Sequence, residues 1–284
     1  MNTQKTAQDK LLRAAGTAAG LLLGWAAIEN TALLQVSRYE ADIPDLPRTV
    51  QISDLHKRRF GRGQRRLIRK VAALKPELIV VTGDLISRTV TDFTDTQRLL
   101  RRLTALAPVL VANGNHEADL PPAILERFRQ AVRHSGALLL ENQTVTVNGI
   151  PFAGLYLPSV FYRGGGLFGF TGAADCTAET LLERLGDCKP NTVLLAHNPM
   201  FFPAYAEWGA KLTLSGHIHG GIVRLPGIGG LLSPERRFLP HFDKGAFRQG
   251  DSELIVSAGL GKLRLFNPPE LCLITAKTTD SPSD

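Results

Sequence analysis

The chain has 284 residues, of which 44% are apolar and 21% charged, which excludes a disordered chain and allows one large core or two small ones. Its three cysteines, Cys176, Cys188 and Cys272, lack C-x-x-C spacing, which argues against a cysteine-built metal site and against disulfide stapling. A formal charge of +7 favours an anionic partner without choosing between nucleic acid, an acidic membrane surface and a phosphorylated substrate.

In chain order, Lys5, Lys10 and Arg13 precede an uncharged stretch over residues 14–28 (AAGTAAGLLLGWAAI) that ends at Glu29. Fifteen residues are fewer than the roughly 20 a spanning helix needs, although apolar character resumes at Ala32, Leu33 and Leu34. The stretch predicts a membrane-associated segment, with residues 1–45 forming that segment and a linker, so that deleting it is expected to release the remaining chain with its function intact. A core helix is the alternative, and no small-x-small site follows that would mark a signal peptide.

Downstream, short β-rich runs alternate with helix-like stretches. The runs are residues 49–53 (TVQIS), 78–82 (LIVVT), 109–113 (VLVAN), 192–196 (TVLLA), 212–215 (LTLS), 254–258 (LIVSA) and 271–276 (LCLITA). Helical periodicity falls on residues 62–74, 94–106, 123–134 and 178–185, while residues 138–155 read as a meander turning at Asn148-Gly149. This rhythm predicts a layered α/β domain over residues 46–277, followed by a frayed tail at 278–284.

Chemistry-bearing residues leave these runs in order: Asp54 and His56, Asp84, Asn115 with His116, His197, then His217 and His219. The carboxyl ends of strands in open α/β sheets are where ligands bind, so separate strands can deliver these groups to one place. A carboxylate can bridge two cations about 3.5–4 Å apart while imidazole and amide groups ligate one each, which makes Asp84 the natural bridge. Two carboxylates and one hydroxide, about −3, against about +4 from two divalent ions leave positive charge for a phosphate. Ligation by N and O without thiolate suits Mn, Fe or Zn. Singly, each of these short patterns also occurs in ordinary structural settings; their joint order carries the reading. His134 and His241 lack such a setting and read as structural or surface residues.

ISDLH, VTGD, GNHE, AHNP and SGHIHGG, in that order, resemble the motifs of calcineurin-like metallophosphoesterases over about residues 49–276. SGHIHGG with the later GLG and LRLFNPPE resembles the membrane-anchored bacterial branch, which includes enzymes acting on UDP-diacylglucosamine. The resemblance implies a four-layer α/β/β/α sandwich. It further implies Asp54, His56, Asp84 and His219 on one metal, and Asp84, Asn115, His197 and His217 on the other, with Mn2+ favoured. His116 is then the general acid or charge stabiliser, with a role behind the ligands as its alternative. Some relatives carry an acidic residue three positions after the bridging Asp to orient that histidine; here Ser87 stands there. Ile222, where the branch often has Gln, and a short loop over residues 261–264 are further departures.

Between Asp54 and Glu77 lie nine basic residues and no acidic one, and Arg62, Arg65, Arg66, Arg69 and Lys70 would share one helix face. The face is either a solvated surface or a contact for phosphate or acidic lipid. Arg58, Arg59 and Arg163 are candidate substrate contacts, and the aromatic, glycine-rich stretch over residues 155–170 is a candidate cover for the metals or a loop folded onto the core. Arg236, Arg237, Lys244 and Arg248 add positive charge near the GHIHGG loop. The expected function is hydrolysis of a phosphate ester or pyrophosphate on a lipid-linked or nucleotide-like substrate at a membrane. A metal-dependent nuclease or nucleotide phosphodiesterase is the alternative enzyme, and a non-catalytic metal scaffold the alternative outside enzymes. Charge asymmetry across residues 14–28 would place a spanning chain's domain outside. The shortness of the segment and the cytosolic supply of nucleotide-linked lipids favour an interfacial helix on the cytoplasmic face.

Overall fold

A computed structural model describes residues 2–162, 174–225, 227–233, 238–262 and 264–277; Arg163, Arg236, Arg237 and the tail at 278–284 lie outside the described residues. Two six-stranded sheets form the centre. The first draws on β1 (Gln35–Ala41), β2 (Thr49–Ile52), β3 (Leu78–Thr82), β4 (Val109–Ala112) and β5 (Leu138–Leu139). The second begins with β6 (Gln143–Val147) and β7 (Ile150–Gly154) and continues with β8 (Val193–Leu195) and β9 (Leu212–Ser215). A two-stranded hairpin, β10 (Arg224–Leu225) with β11 (Gly229–Gly230), precedes β12 (Gly245–Gln249) and β13 (Ser252–Val256), which complete the second sheet. The last strand, β14 (Glu270–Ala276), returns to the first. The sheet orders are β1-β14-β2-β3-β4-β5 and β12-β13-β9-β8-β7-β6.

In each sheet the central strands run parallel: β2 to β5 in one, β7, β8, β9 and β13 in the other. Their side chains alternate between two cores, as the period of two demands. Leu78, Val80, Leu110 and Ala112 of the first sheet meet Phe152, Val193, Leu195, Leu212 and Leu214 of the second in a core between the sheets. Ile79, Val81, Val109 and Val111 face the other way, against α2 (Arg65–Ala73), α3 (Thr94–Thr104) and α5 (Pro122–Arg133). On the far side of the second sheet, Leu194, Leu254 and Val256 pack with α6 (Ala178–Leu185) and α7 (Phe202–Trp208). Burial on both faces is why the runs read as continuously apolar. The result is the α/β/β/α sandwich expected from the sequence.

Asn148 (φ 51°) and Gly149 (φ 80°) form the left-handed two-residue turn between β6 and β7. The basic helix begins later than its periodicity suggests. Gly63 (φ 58°) and Gln64 (φ 60°) break the first turn, so that α2 starts at Arg65 with Leu67, Ile68 and Val71 buried. Residues 35–41, expected within a linker, instead form β1, parallel to β14 at a sheet edge, where half-exposed alternation hid the strand. The N-terminal stretch lies in one helix, α1 (Asn2–Thr31). Among the described residues no helix is long and apolar enough to cross a membrane. Leu21, Leu22, Leu23, Trp25 and Ile28 of α1 are exposed, whereas Glu29 is buried.

Candidate metal centre

Five strand exits converge where the two sheets meet. Asp54 and His56 follow β2, Asp84 follows β3, and Asn115 and His116 lie on the short helix α4 (Asn115–Ala118) after β4. His197 follows β8, and His217 and His219 follow β9. Ligand-type atoms of Asp54, His56 and His219 lie within 4.8 Å of one another, as do those of Asp84, His197 and His217, and those of His56, Asp84 and His116. All seven residues expected to hold metal are thus brought together, with His116 beside them. Asp84 stands in the middle: its Oδ2 is 3.3 Å from His197 Nε2 and 3.8 Å from both His56 Nε2 and His116 Nε2.

The loops that carry these groups are locally strained. Asp54, His56, Asp84, His217 and His219 all hold φ between 51° and 70°, a region non-glycine residues enter at a cost of about 1–3 kcal/mol each and which clusters at functional sites. Neighbouring glycines make the approach possible. A Cβ at Gly83 would lie 2.5 Å from His197 Nδ1, and one at Gly259 would lie 2.6 Å from Asp54 Oδ2.

Main-chain contacts aim the ligands. His116 N–H donates to Asp84 Oδ1 (2.8 Å), His217 N–H donates to the Asp54 carboxylate (3.2 Å), and His197 Nδ1 meets Thr82 O at 2.7 Å. Held by Thr82, His197 presents Nε2 inward. His56 Nε2 and His219 Nε2 face each other at 3.3 Å. Asn115 brings the end of its amide within 3.3 Å of Asp84 Oδ2 and His197 Nε2 and 3.0 Å of His217 Nδ1. With the nitrogen inward the amide would donate to these atoms and accept from Arg88 Nη2 at 3.2 Å; with the oxygen inward four lone-pair atoms converge, which a cation among them satisfies. The donor set therefore fits divalent metal.

The electrostatics agree. Burial works against charge on His197, but the Asp84 and Asp54 carboxylates outweigh it and raise its imidazole to about 10. A positive species is stabilised beside Nε2, and a metal there would displace that proton. Burial pushes His219 down to about 3 and His116 down to about 4, so both are neutral near pH 7. Asp54 and Asp84 lie below the usual carboxylate range because, although burial opposes it, the surrounding imidazoles favour the ionised form.

Several contributors escape motif reading. Arg88 donates its main-chain N–H to His116 Nδ1 (3.1 Å), filling the orienting place that Ser87 leaves open. Glu117, 1% exposed, accepts from the N–H groups of Asp84 (2.9 Å), Gly114 (2.8 Å) and Ile86 (3.1 Å). Tyr162 sets its ring against His217 and His197, with centroids 5.4 and 6.1 Å apart. Of the candidate substrate contacts, Arg58 is buried and donates to Gly261 O and Asn30 O, both at 2.6 Å, so its guanidinium is occupied within the fold. Arg59 is exposed and 3.4 Å from Asp95. Arg163 lies outside the described residues.

A model of the calcineurin-like phosphoesterase family matches residues 47–221, from the strand before Asp54 to the glycines after His219. The chain belongs to that family. It is 26% identical over 269 residues to a metallophosphoesterase of Aquifex aeolicus (strain VF5), covering 90% of this chain and 97% of that protein. It is 27% identical over 241 residues to phosphodiesterase YaeI of Escherichia coli (strain K12), covering 78% and 79%. Similarity at 24% over 308 residues extends to the UDP-2,3-diacylglucosamine pyrophosphatase LpxG of Chlamydia muridarum (strain MoPn / Nigg), covering 88% and 91%. The chain is accordingly a phosphoric ester or anhydride hydrolase of a family that uses divalent metals.

Proposed function

We propose that this metallophosphoesterase cleaves a phosphodiester or pyrophosphate bond in a lipid-linked or nucleotide-like substrate at a membrane surface, using two divalent cations, with Mn2+ favoured over Fe or Zn. The observation that carries the reading is the grouping of Asp84 with six other N- and O-donor residues delivered by both sheets. Asp54, His56, Asp84 and His219 would hold one ion, and Asp84, Asn115, His197 and His217 the other. Bound cations supply charge neutralisation at the phosphoryl oxygens.

His116 supplies stabilisation of developing charge. Because its Nδ1 accepts from Arg88 N–H, the neutral ring keeps its proton on Nε2, which points into the site towards Asp84 Oδ2. That Nε2–H is placed to donate a hydrogen bond to the phosphoryl or departing oxygen while keeping its proton. Tyr162 packs its ring against the His197 and His217 side of the site.

The membrane part of the proposal is supported by the exposed Leu21, Leu22, Leu23, Trp25 and Ile28 of α1 and by the exposed Arg65, Arg69 and Lys70 of α2. We place the helix at the interface of the cytoplasmic face. The basic face of α2 also suits nucleic acid, which keeps a nuclease as the second reading. Activity of the Mn-loaded protein should be profiled on UDP-2,3-diacylglucosamine, nucleotide pyrophosphates, an aryl phosphate and single-stranded DNA. Turnover led by a pyrophosphate or diester with an acyl-bearing group supports the proposal, whereas DNA cleavage with no turnover of the others installs the nuclease reading.

A further inference from the structure

The last turn of α1 holds no basic residue, so its terminal carbonyls need donors from elsewhere. Two arginines from the chain after β2 provide them. Arg58 Nη2 donates to Asn30 O (2.6 Å), and Arg66 donates to Thr31 O (2.9 Å) and to Ala32 O. The side chains of the same turn reach into the loop before β14. Asn30 Oδ1 accepts from Arg264 N–H (3.1 Å) while its Nδ2 donates to Arg264 O (2.8 Å), a reciprocal pair. Glu29, fully buried, accepts from the main-chain N–H groups of Phe266 (2.8 Å) and Asn267.

These same residues grip the metal loops from behind. Arg58 lies two positions after His56, and its Nη1 shares Gly261 O with Arg264 Nε, at 2.6 and 2.7 Å. The Gly261 main chain packs closely against the His219 ring, since a Cβ there would come within 3.0 Å of His219 Nδ1 and Cε1. His219 O accepts from Asn267 Nδ2 (2.6 Å) and Arg264 Nη1 (3.3 Å). A path of hydrogen bonds thus runs from Glu29 and Asn30, through Arg264 and Asn267, to the His219 carbonyl, and the Gly261 main chain that Arg58 and Arg264 hold packs against the His219 ring. The apolar residues of this part of α1 stay exposed, so the helix docks here by polar contacts and not by joining a core.

We infer that Glu29 and Asn30 are positioning residues for the Asp54, His56 and His219 half of the metal centre, so that the N-terminal helix is part of the active-site architecture as well as an attachment. The inference rests on the dinuclear reading above. Partners that orient metal ligands typically change metal affinity on the order of 10- to 100-fold, and such an effect should fall on one ion only. It also bears on the expectation that removing the N-terminal segment leaves an active enzyme, because removal would strip these contacts; point variants of the full chain separate the two roles.

The test is Mn2+ titration of full-length wild type, Glu29→Ala, Asn30→Ala and the control Arg66→Ala, which loosens the same turn without touching His219. Bound metal is counted after gel filtration, and thermal melting is followed with chelator and with Mn2+. The expected result is two tightly held ions in wild type and Arg66→Ala, but one tight and one at least about tenfold weaker in the Glu29 and Asn30 variants, with a smaller Mn-induced rise in melting temperature. Glu29→Gln, which keeps one acceptor oxygen, should fall between and covers the case in which Glu29→Ala does not fold. A uniform drop in melting temperature with both ions held as in wild type would overturn the inference and leave Glu29 and Asn30 as structural caps. A wild type that holds fewer than two ions would instead overturn the dinuclear reading, and this one with it.

Discussion

His116 receives its orienting hydrogen bond from the main chain of Arg88, not from an acidic side chain: Arg88 N–H lies 3.1 Å from His116 Nδ1. A donor at Nδ1 fixes the neutral tautomer as surely as a carboxylate fixes orientation, but it withdraws basicity instead of adding it. The residue is thereby suited to giving a hydrogen bond from Nε2–H and unsuited to taking up charge at neutral pH.

His116→Ala should therefore keep bound metal and lose rate, by roughly 100- to 1,000-fold in kcat for a lost hydrogen-bond donor to transition-state charge. Elemental analysis beside steady-state kinetics checks both halves, and loss of metal would make His116 a ligand. Arg88→Ala retains the main-chain donor and removes the ion pair to Asp119 (2.7 Å) together with the Nη2 group 3.2 Å from the Asn115 amide. With Arg88 half exposed in that pair, the expected loss is small, about fivefold or less.

Asp84→Asn should disable both halves of the centre at once, since Asp84 Oδ2 faces His56, His116 and His197 together. An amide bridges poorly and removes a negative charge from a site whose imidazoles depend on it. Metal content and turnover should fall in parallel, and exhaustive chelation of wild type should give the same inactive state, reversible on adding Mn2+. Full turnover by either preparation would remove the metal-dependent mechanism.

Glu117→Gln is expected to destabilise the fold by about 1–3 kcal/mol, because a buried carboxylate that accepts three N–H groups would present a donor to one of them. Those groups belong to Asp84, Gly114 and Ile86, which frame the bridging carboxylate, so kcat should fall even in preparations that remain folded. Urea melts and kinetics at a temperature well below the transition separate the two effects. Unchanged kinetics in a destabilised variant would confine Glu117 to a structural role.

How far the site could be read from the sequence depends on where each contact comes from. Asp54, Asp84, His197 and His217 each lie two residues past a fully buried strand, and a buried parallel strand advertises itself by its largely apolar composition, so that its exit can be read. Arg88 could not be read this way, because a backbone N–H is common to every residue but proline and only the fold decides where it points. Arg58 misled for the opposite reason. Among nine basic residues it looked like a substrate contact, and it is buried between Asn30 and Gly261. Glu29 and Asn30 gave no signal beyond closing an apolar stretch, their partners lying more than 230 residues away. The strand β1 stayed hidden since QVSRYEA sits at a sheet edge and buries only part of each side chain.

The surface of α1 supplies the last prediction. Leu21 and Leu23 are each about 70% exposed, and Ile28 is half exposed, so polar substitutions there remove no packing and should leave folding and turnover of a soluble nucleotide substrate intact. Exposed leucines on a helix that docks by its polar end can instead enter a lipid interface, each fully buried one contributing about 1.5–3 kcal/mol. The basic face of α2 would add about 1 kcal/mol per residue near an anionic surface. Arg65, Arg69 and Lys70 are exposed for that contact, whereas Arg66 is engaged with Thr31 and Ala32. Full-length protein should thus float with vesicles containing anionic lipid, and Leu21→Gln with Leu23→Gln should shift it to the soluble fraction. Arg65→Glu with Arg69→Glu should weaken flotation on anionic vesicles and leave it unchanged on neutral ones. If wild type stays in the soluble fraction with both vesicle types, α1 is not a lipid contact, and the membrane part of the proposed function falls while the metal centre stands.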